Sequence, residues 1–289
     1  GQAIKKIKDN LKNGKTKVYD ADLSSFFDTI PHTKLLTLIG MRISDKNIIH
    51  LIKMWLKAPI YEDGRYSGGK KNKVGTPQGS VISPLLANIY LHLVDKTVRK
   101  NIAFAGIEII RYADDFLLMG NEITRKAMGT LNALLERMEL TVNTEKTKLI
   151  NVVENSFDFL GFTIERRRST KRKNYWYWYV HPSKKSIKRL KTNIKETLRK
   201  GLTMKEENMS RRVNGILRGW LNYFAVGEVS LMTPTKDKLR YFLRERLFRY
   251  QRRKSQRFRY RYCRRTFQRW ISKFGFINPY SKKARTANA

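Results

Sequence analysis

The chain has 289 residues, enough for two or three domains with their own cores, and sets 61 Lys and Arg against 24 Asp and Glu, a net charge of +37. Such an excess repels itself in a compact chain unless a polyanion neutralises it, which excludes an ordinary small-molecule enzyme and points to nucleic acid. No apolar run approaches the ~20 residues of a membrane span, and the single Cys263 excludes a disulfide framework or Cys-rich zinc module and fits a reducing compartment.

The chain opens at Gly1 without an initiator Met, as a fragment or processed product would, and no signal peptide is visible. Residues 1–14 read as the end of a helix (Ile4, Ile7, Leu11) stopped by Asn13-Gly14. TKVYDADL (16–23) alternates as a strand does. Helices are expected at about 33–39 and 46–57, the second with Ile48, Ile49, Leu51, Ile52, Trp55 and Leu56 filling one broad face. Residues 61–75, rich in Gly and Lys, read as a loop or hairpin. Gly75 and Gly79 bracket Pro77-Gln78, so the backbone can approach a ligand closely before a helix starts at Ser83, with Pro84 in its first turn. Free N–H groups at such a helix start suit anions. No Gly-Lys-Ser/Thr follows at the right spacing, so this is not a Walker-type loop.

Residues 111–119, RYADDFLLM, set adjacent Asp114 and Asp115 between the β-branched IEII (107–110) and the apolar FLLM (116–119). This reads as a buried β-hairpin. Leaving either carboxylate desolvated and unpaired at its tight end would cost about several kcal/mol, so a bound cation is the natural resolution. Hard divalent ions held by one or two carboxylates plus substrate phosphates are how polymerase sites use magnesium. Two-metal phosphoryl transfer needs carboxylates from separate strands converging on one point. Asp22, at the end of the first strand, and Asp114 can supply that bridge.

A helix at 124–139 and strands at 147–153, 158–165 and 174–180 complete an α+β domain, helices packed on a largely antiparallel sheet. From Pro182 the chain turns helical and basic. Ser183 is a plausible N-cap for a helix carrying Ile187, Leu190, Ile194 and Leu198. Val213, Ile216, Leu217, Trp220, Leu221 and Phe224 mark a second helix; Leu239, Phe242, Leu243, Leu247 and Tyr250 begin a third. Two domains are expected, 1–181 and 182–289.

The segments DADLSSFFDTI (20–30), GTPQGSVISPLLANIYLH (75–92), RYADDF (111–116), TVNTEKTKL (141–149) and FDFLGF (157–162) occur in this order. Together they resemble the palm motifs of reverse transcriptases, most closely the group II intron-encoded branch, and RGWLNYF (218–224) resembles that family's thumb or maturase domain. The resemblance covers roughly residues 1–250. It implies a polymerase palm followed by an all-α thumb, and RNA-directed DNA synthesis with two Mg²⁺ ions, for which Mn²⁺ is a possible substitute. By resemblance Asp22 and Asp114 bind metal, Asp115 is a third and less certain ligand, and Leu23 contributes its backbone carbonyl. Asp20, on the same strand face as Asp22, is then structural or solvated, and Asp28 a helix cap or hydrogen-bond acceptor. Phe27 would lie under the incoming sugar and select dNTPs, against the reading of Phe26 and Phe27 as core aromatics. Gln78 and Gly79 would contact the nucleotide, and Pro77 with the following helix would support the template. Lys146 is the candidate to neutralise or protonate the leaving pyrophosphate, against the reading of Lys146 and Lys148 as an exposed pair. Phe159, Leu160 and Gly161 would form the primer-grip strand, Gly161 allowing close approach of the primer backbone. Arg111 is either a phosphate contact or a strand-surface charge.

Residues 236–273 hold 16 Lys and Arg, two acids and nine aromatics. Basic residues interleaved with rings suit phosphate contact plus base stacking, yet Tyr241, Phe242, Phe248, Phe267 and Trp270 read equally as a helical core. NYWYWYV (174–180) reads as a sheet edge packing on the thumb. Relative to the family, most of the fingers region precedes residue 1, so another chain or segment would supply it. The scattered His32, His50, His92 and His181 do not make a His/Cys endonuclease module. The implied partners are a structured intron RNA as template, a DNA or RNA primer and dNTPs, in bacterial cytoplasm or an organelle. Two other readings share these motifs: an RNA-binding maturase with little polymerase activity, and a domesticated defence- or CRISPR-associated transcriptase.

Overall fold

The computed structural model describes residues 1–62, 65–69, 71–77, 79–169, 172–225, 227, 229–230, 232–255 and 263–280. Gln78, one of the expected nucleotide contacts, lies outside the described residues. Gln2–Asn155 form one compact unit and the chain from Ser156 a second.

The first unit is built on helix α1 (Gln2–Lys12), strand β1 (Lys17–Ala21), α2 (Phe26–Thr29), α3 (His32–Gly40), α4 (Lys46–Leu56), the hairpin β2 (Pro59–Glu62) and β3 (Arg65–Gly68), α5 (Ser83–Lys100), β4 (Glu108–Tyr112), β5 (Asp115–Gly120), α6 (Arg125–Arg137) and β6 (Lys148–Asn151). Its main sheet runs in the order β4-β5-β1-β6 with every neighbouring pair antiparallel. Phe116, Leu117, Leu118 and Met119 of β5 are all fully buried. A strand covered on both faces reads as a continuous apolar run rather than an alternating one, which is why FLLM has no polar break. On one face Tyr19, Ala21, Phe116 and Leu118 join the core of Leu35 and Ile39 from α3, Leu86, Tyr90 and Val94 from α5, and Leu131 and Leu135 from α6. Helix α1, with Ile4, Ile7 and Leu11 buried, packs against β4. The Tyr90 hydroxyl donates to the Met138 carbonyl at 2.6 Å and fastens α5 to the end of α6.

Helix α4 departs from expectation. Asp45 caps it by accepting from the Asn47 and Ile48 N–H groups, but only Ile52 and Leu56 are buried, and Ile48, Leu51, Met54 and Trp55 face outward. A helix in an outer layer, packed on α3, buries one stripe; its remaining apolar side chains have no layer above them.

The second unit comprises β7 (Phe157–Phe159), β8 (Phe162–Arg168) and β9 (Trp176–Pro182), an antiparallel sheet in that order, and helices α7 (Lys184–Lys200), α8 (Glu206–Phe224), α9 (Thr233–Lys254) and α10 (Cys263–Phe274). Ser183 does cap α7, its hydroxyl accepting from Ser186 N–H at 3.2 Å. The helices close over Leu190, Ile194, Val213, Leu217, Leu243, Leu247, Phe267 and Trp270. Phe242, Tyr250, Phe267 and Trp270 of the basic tail are therefore core residues, whereas Tyr241 is exposed. By compactness the chain divides between Asn155 and Ser156, ahead of the change in composition at 181–183. Hydrogen bonds account for the difference. The Ser183 N–H and Ser186 hydroxyl donate to the Gly161 carbonyl at 2.8 and 3.0 Å, and the Tyr223 hydroxyl donates to Leu160 O at 2.9 Å, joining the small sheet to α7 and α8.

Glu206, in the first turn of α8, accepts from Gln251 at 3.4 Å and pairs with Lys254 at 3.2 Å. Burial pushes its carboxyl up, but its own backbone N–H and these two α9 side chains outweigh burial and hold it below the ordinary glutamate value of 4.5. A depressed folded value means stability that is present above the ordinary value and lost as pH falls through the lowered one. Glu206→Gln should lower the urea midpoint at pH 7, and the gap from the native chain should narrow as the pH falls below the ordinary glutamate value, as equilibrium unfolding across that range will show.

Candidate active site

The register of β1 against β5 runs from Lys17↔Gly120 to Ala21↔Phe116. One further step sets Asp22 opposite Asp115. Asp114 occupies the two-residue turn Ala113-Asp114 that joins β4 to β5, closed by the pair Tyr112↔Asp115. Three carboxylates thus gather at one end of the sheet. Asp115 is exposed at the surface, yet partial burial of its carboxyl raises it above its ordinary value, and the neighbouring Asp114 and Asp22 charges raise it further. Like charges opposite one another on paired strands are destabilising. Lys146 Nζ lies 3.4 Å from Asp22 Oδ2 on a side chain 68% exposed; an exposed pair contributes at most about 1 kcal/mol, too little to offset three acids. Among the described residues no three His, Cys, Asp or Glu side chains form a ready-made metal cage. Magnesium does not require one, since it is held by one or two carboxylates with water and substrate phosphates completing the octahedron. The donors here, carboxylate oxygens of two strand ends, fit such a hard ion.

Asp22 is held from both sides. Its N–H donates to Thr147 Oγ1 at 3.2 Å, and its carbonyl accepts from Asn143 N–H at 2.8 Å. The bridge Leu23↔Val142 is completed by Ser24 N–H on the Thr141 carbonyl at 2.9 Å, so the Leu23 carbonyl takes no part in it. The Asn143 side chain accepts from Glu145 and Lys146 N–H at 3.1 and 3.3 Å, folding the turn that brings Lys146 to Asp22. Asp20 sits across from Lys148 on β6 and Leu117 on β5, so it is paired within the sheet.

Arg111 is neither a free surface charge nor open to phosphate. Its guanidinium bonds Asp95 of α5 through Nε (3.0 and 3.1 Å) and Nη2 (2.6 Å), while Nη1 donates to Asn88 Oδ1 at 2.7 Å and to the Ala113 carbonyl at 2.9 Å. Ala113 adopts φ +56°, a conformation that costs a residue with a Cβ about 1–2 kcal/mol. Arg111 therefore clamps the strained turn that presents Asp114 to the helix behind it. Sequence reading missed this pair; the available signal was Asp95 inside the buried stripe of Leu91, Val94 and Val98, where a lone acid requires a cation.

Phe26 is buried and Phe27 half-buried, their rings 5.4 Å apart. The Phe27 carbonyl accepts from Thr76 N–H at 2.7 Å, Gly75 N–H donates to Ile30 O at 2.8 Å, and His32 Nε2 meets the Gly75 carbonyl at 2.6 Å. Phe27 and the Gly75–Pro77 backbone therefore move as one piece. Gly75, at φ +85°, approaches the chain's own Asp28, for a Cβ there would lie 2.9 Å from the Asp28 carbonyl oxygen. Gly79, also at φ +85°, has open space around it. The Pro77 carbonyl accepts from Ser80 N–H at 3.2 Å and the Ser83 hydroxyl at 2.7 Å, leading into α5.

Phe159, Leu160 and Gly161 belong to the second unit. Phe159↔Phe162 close a two-residue turn in which Leu160 (φ +49°) and Gly161 (φ +77°) are both left-handed, so LG is a hairpin tip and not mid-strand. The close approach Gly161 permits is to Ser186, whose Oγ would lie 2.8 Å from an added Cβ.

Removing one partner of a largely buried ion pair strands the other. Arg111→Leu should therefore destabilise the chain by about 2–3 kcal/mol, and Asp95→Leu added to it should recover most of that loss, as chemical denaturation of the single and double variants will show.

A family model described as reverse transcriptase (RNA-dependent DNA polymerase) matches residues 2–164, and one for the group II intron maturase-specific domain matches residues 187–270. The group II intron-encoded protein LtrA of Lactococcus lactis subsp. cremoris is 29% identical over 83% of this chain and 43% of its own length. An uncharacterized 91 kDa protein in the cob intron of Schizosaccharomyces pombe is 26% identical over 77% of this chain and 36% of its own. Protein YkfC of Escherichia coli K12 is 32% identical over 58% and 52%. The chain thus spans between 36% and 52% of the length of these relatives. Among solved structures, apo telomerase from Candida tropicalis aligns at 16% identity with a TM-score of 0.47, over 85% of this chain and 49% of that one.

Proposed function

The chain belongs to the reverse transcriptase family and carries a group II intron maturase-specific match behind the polymerase segment, and on that premise we propose that it extends a primer with dNTPs on an RNA template. The observation that carries this reading is the sheet end that brings Asp22, Asp114 and Asp115 within electrostatic reach of one another. Asp22 and Asp114 would hold two Mg²⁺ or Mn²⁺ ions, with the Leu23 carbonyl and Asp115 as neighbouring donors. When bound, such ions activate the attacking hydroxyl and neutralise the leaving oxygen.

The chain's own residues have separable tasks. Arg111 and Asp95 hold the Ala113-Asp114 turn in place. Lys146, anchored through Asn143 and within 3.4 Å of Asp22, stands ready to neutralise or protonate the departing pyrophosphate. Phe27 offers its half-buried ring to the incoming sugar, where its bulk disfavours a 2′-hydroxyl. Gly79 leaves room for the nucleotide, Pro77 and α5 support the template, and the tip formed by Phe159, Leu160 and Gly161 holds the primer. The template is RNA, in nature a structured intron, in bacterial cytoplasm or an organelle; no helix among the described residues is long and apolar enough to cross a membrane.

A second reading, an RNA-binding splicing cofactor with little polymerase activity, draws on the maturase-specific match at 187–270 and the basic surface of α7–α10. Primer extension separates the two. The chain with Mg²⁺, dNTPs and a primed RNA template should extend the primer, and Asp114→Asn should lower the rate by about a thousandfold or more with RNA affinity unchanged. Extension that survives Asp114→Asn would sink the assignment; tight RNA binding without extension would favour the cofactor. Phe27→Val should raise rNTP use relative to dNTP by about tenfold or more, measured as the ratio of single-nucleotide incorporation efficiencies.

A further inference from the structure

The β8–β9 hairpin leaves its unit as it lengthens. At its base Phe162, Ile164, Val180 and Pro182 are buried, and Ser230 brackets Val180 with hydrogen bonds of 2.8 and 3.0 Å. Beyond Glu165↔Tyr179 the pairs are Arg166↔Trp178, Arg167↔Tyr177 and Arg168↔Trp176. Arg166, Arg167 and Arg168 are exposed, and Tyr175 and Trp176 are each 49% exposed. The expected packing of this edge on the thumb thus stops near Tyr179, and the tip carries its aromatic rings into solvent.

The rings are not bare. The Arg166 guanidinium lies 4.9 Å from the Trp176 ring centre, Arg167 lies 3.9 Å from Tyr179, and Arg172 lies 5.6 Å from Tyr175. Arg168 is fixed by Asn174 at 2.8 Å, and Asn174 itself turns the chain at φ +59°. A guanidinium against one side of an exposed ring leaves the other side for a planar group, and the cation adds to the attraction. From Glu165 to His181 the chain carries Arg166, Arg167, Arg168, Lys171, Arg172 and Lys173 against the single acid Glu165, which is already engaged by Arg167 at 2.5 Å and His181 at 3.1 Å.

We propose that the tip of this hairpin is a binding platform for unpaired nucleic acid, with bases stacking on Trp176 and Tyr175 and phosphates held by Arg168, Arg172 and Lys173. Exposed rings alone would suit a protein partner equally. The dense positive charge with its one acid already paired selects a polyanion, and the half-exposed rings of Tyr175 and Trp176 select unpaired bases over a duplex, whose bases are already stacked. The platform belongs to the second unit and the carboxylates to the first, and its test does not depend on polymerase activity.

The full chain is titrated, by fluorescence anisotropy, with a 20-nucleotide single-stranded RNA, the same sequence as DNA, and a blunt RNA duplex. Trp176→Ala should weaken single-strand binding about tenfold, Trp176→Phe should restore most of it, and duplex affinity should not move. Lys173→Gln should lower the log–log salt slope by about 0.7. Photocrosslinking with 4-thiouridine RNA should mark peptide 172–178, which keeps the effect visible if other basic surfaces bind the same probe. Equal weakening on RNA and DNA supports stacking on any unpaired strand, and weakening on RNA alone supports RNA as the ligand. Parallel loss on single strand and duplex, or unchanged binding with no crosslink in that peptide, would overturn the proposal, the latter leaving an acidic protein as the partner to seek.

Discussion

Three carboxylates forced together at one end of a buried sheet are the constraint around which the first unit is organised. Asp22 and Asp115 are brought close to each other by the same antiparallel register that buries Phe116, Leu118, Tyr19 and Ala21. Slipping that register by one residue would exchange the two faces of each strand, so the core cannot relax to separate the acids. The repulsion is therefore built in by the apolar packing, and Lys146, exposed and at 3.4 Å, offsets only part of it. A site that raises the energy of its own fold in this way is consistent with one arranged for an added cation.

Backbone strain follows the same sites. Ala113 and Leu160 are two of the five non-glycine residues with positive φ among the described residues, and they adjoin Asp114 and Gly161 respectively. Each is held by a contact from elsewhere in its own unit: Arg111 at Ala113, Tyr223 at Leu160. Strain of this kind persists only where surrounding structure over-determines it. The rigid presentation of Asp114 thus depends on Asp95 and Asn88 of α5, residues with no chemistry of their own.

What the amino-acid sequence made legible was local. The apolar run after Asp115 and the β-branched run before Asp114 specified the hairpin, because strand burial leaves its mark on neighbouring residues. The resemblance counts the 141–149 segment among the palm motifs with Asp22, and the structure links the two through Thr147 and Asn143. The missed features were long-range. Nothing local says that Arg111 is satisfied by a helix ending 11 residues earlier, that Gly75 is small for the sake of Asp28, or that only one stripe of α4 has a layer to pack on. The division near 155 was hidden for a related reason: composition follows charge, whereas compactness follows the hydrogen bonds from Ser183, Ser186 and Tyr223 to the Leu160-Gly161 turn.

The central claim, that the sheet-end carboxylates are held together against their repulsion for the sake of a divalent cation, is tested most directly by melting the chain and Asp115→Asn with and without metal. In EDTA the substitution should raise the melting temperature by relieving like-charge repulsion, and millimolar Mg²⁺ or Mn²⁺ should stabilise the native chain more than the variant. If the variant melts lower in EDTA and both chains ignore the metal, the carboxylates are ordinary members of the fold and the account is wrong.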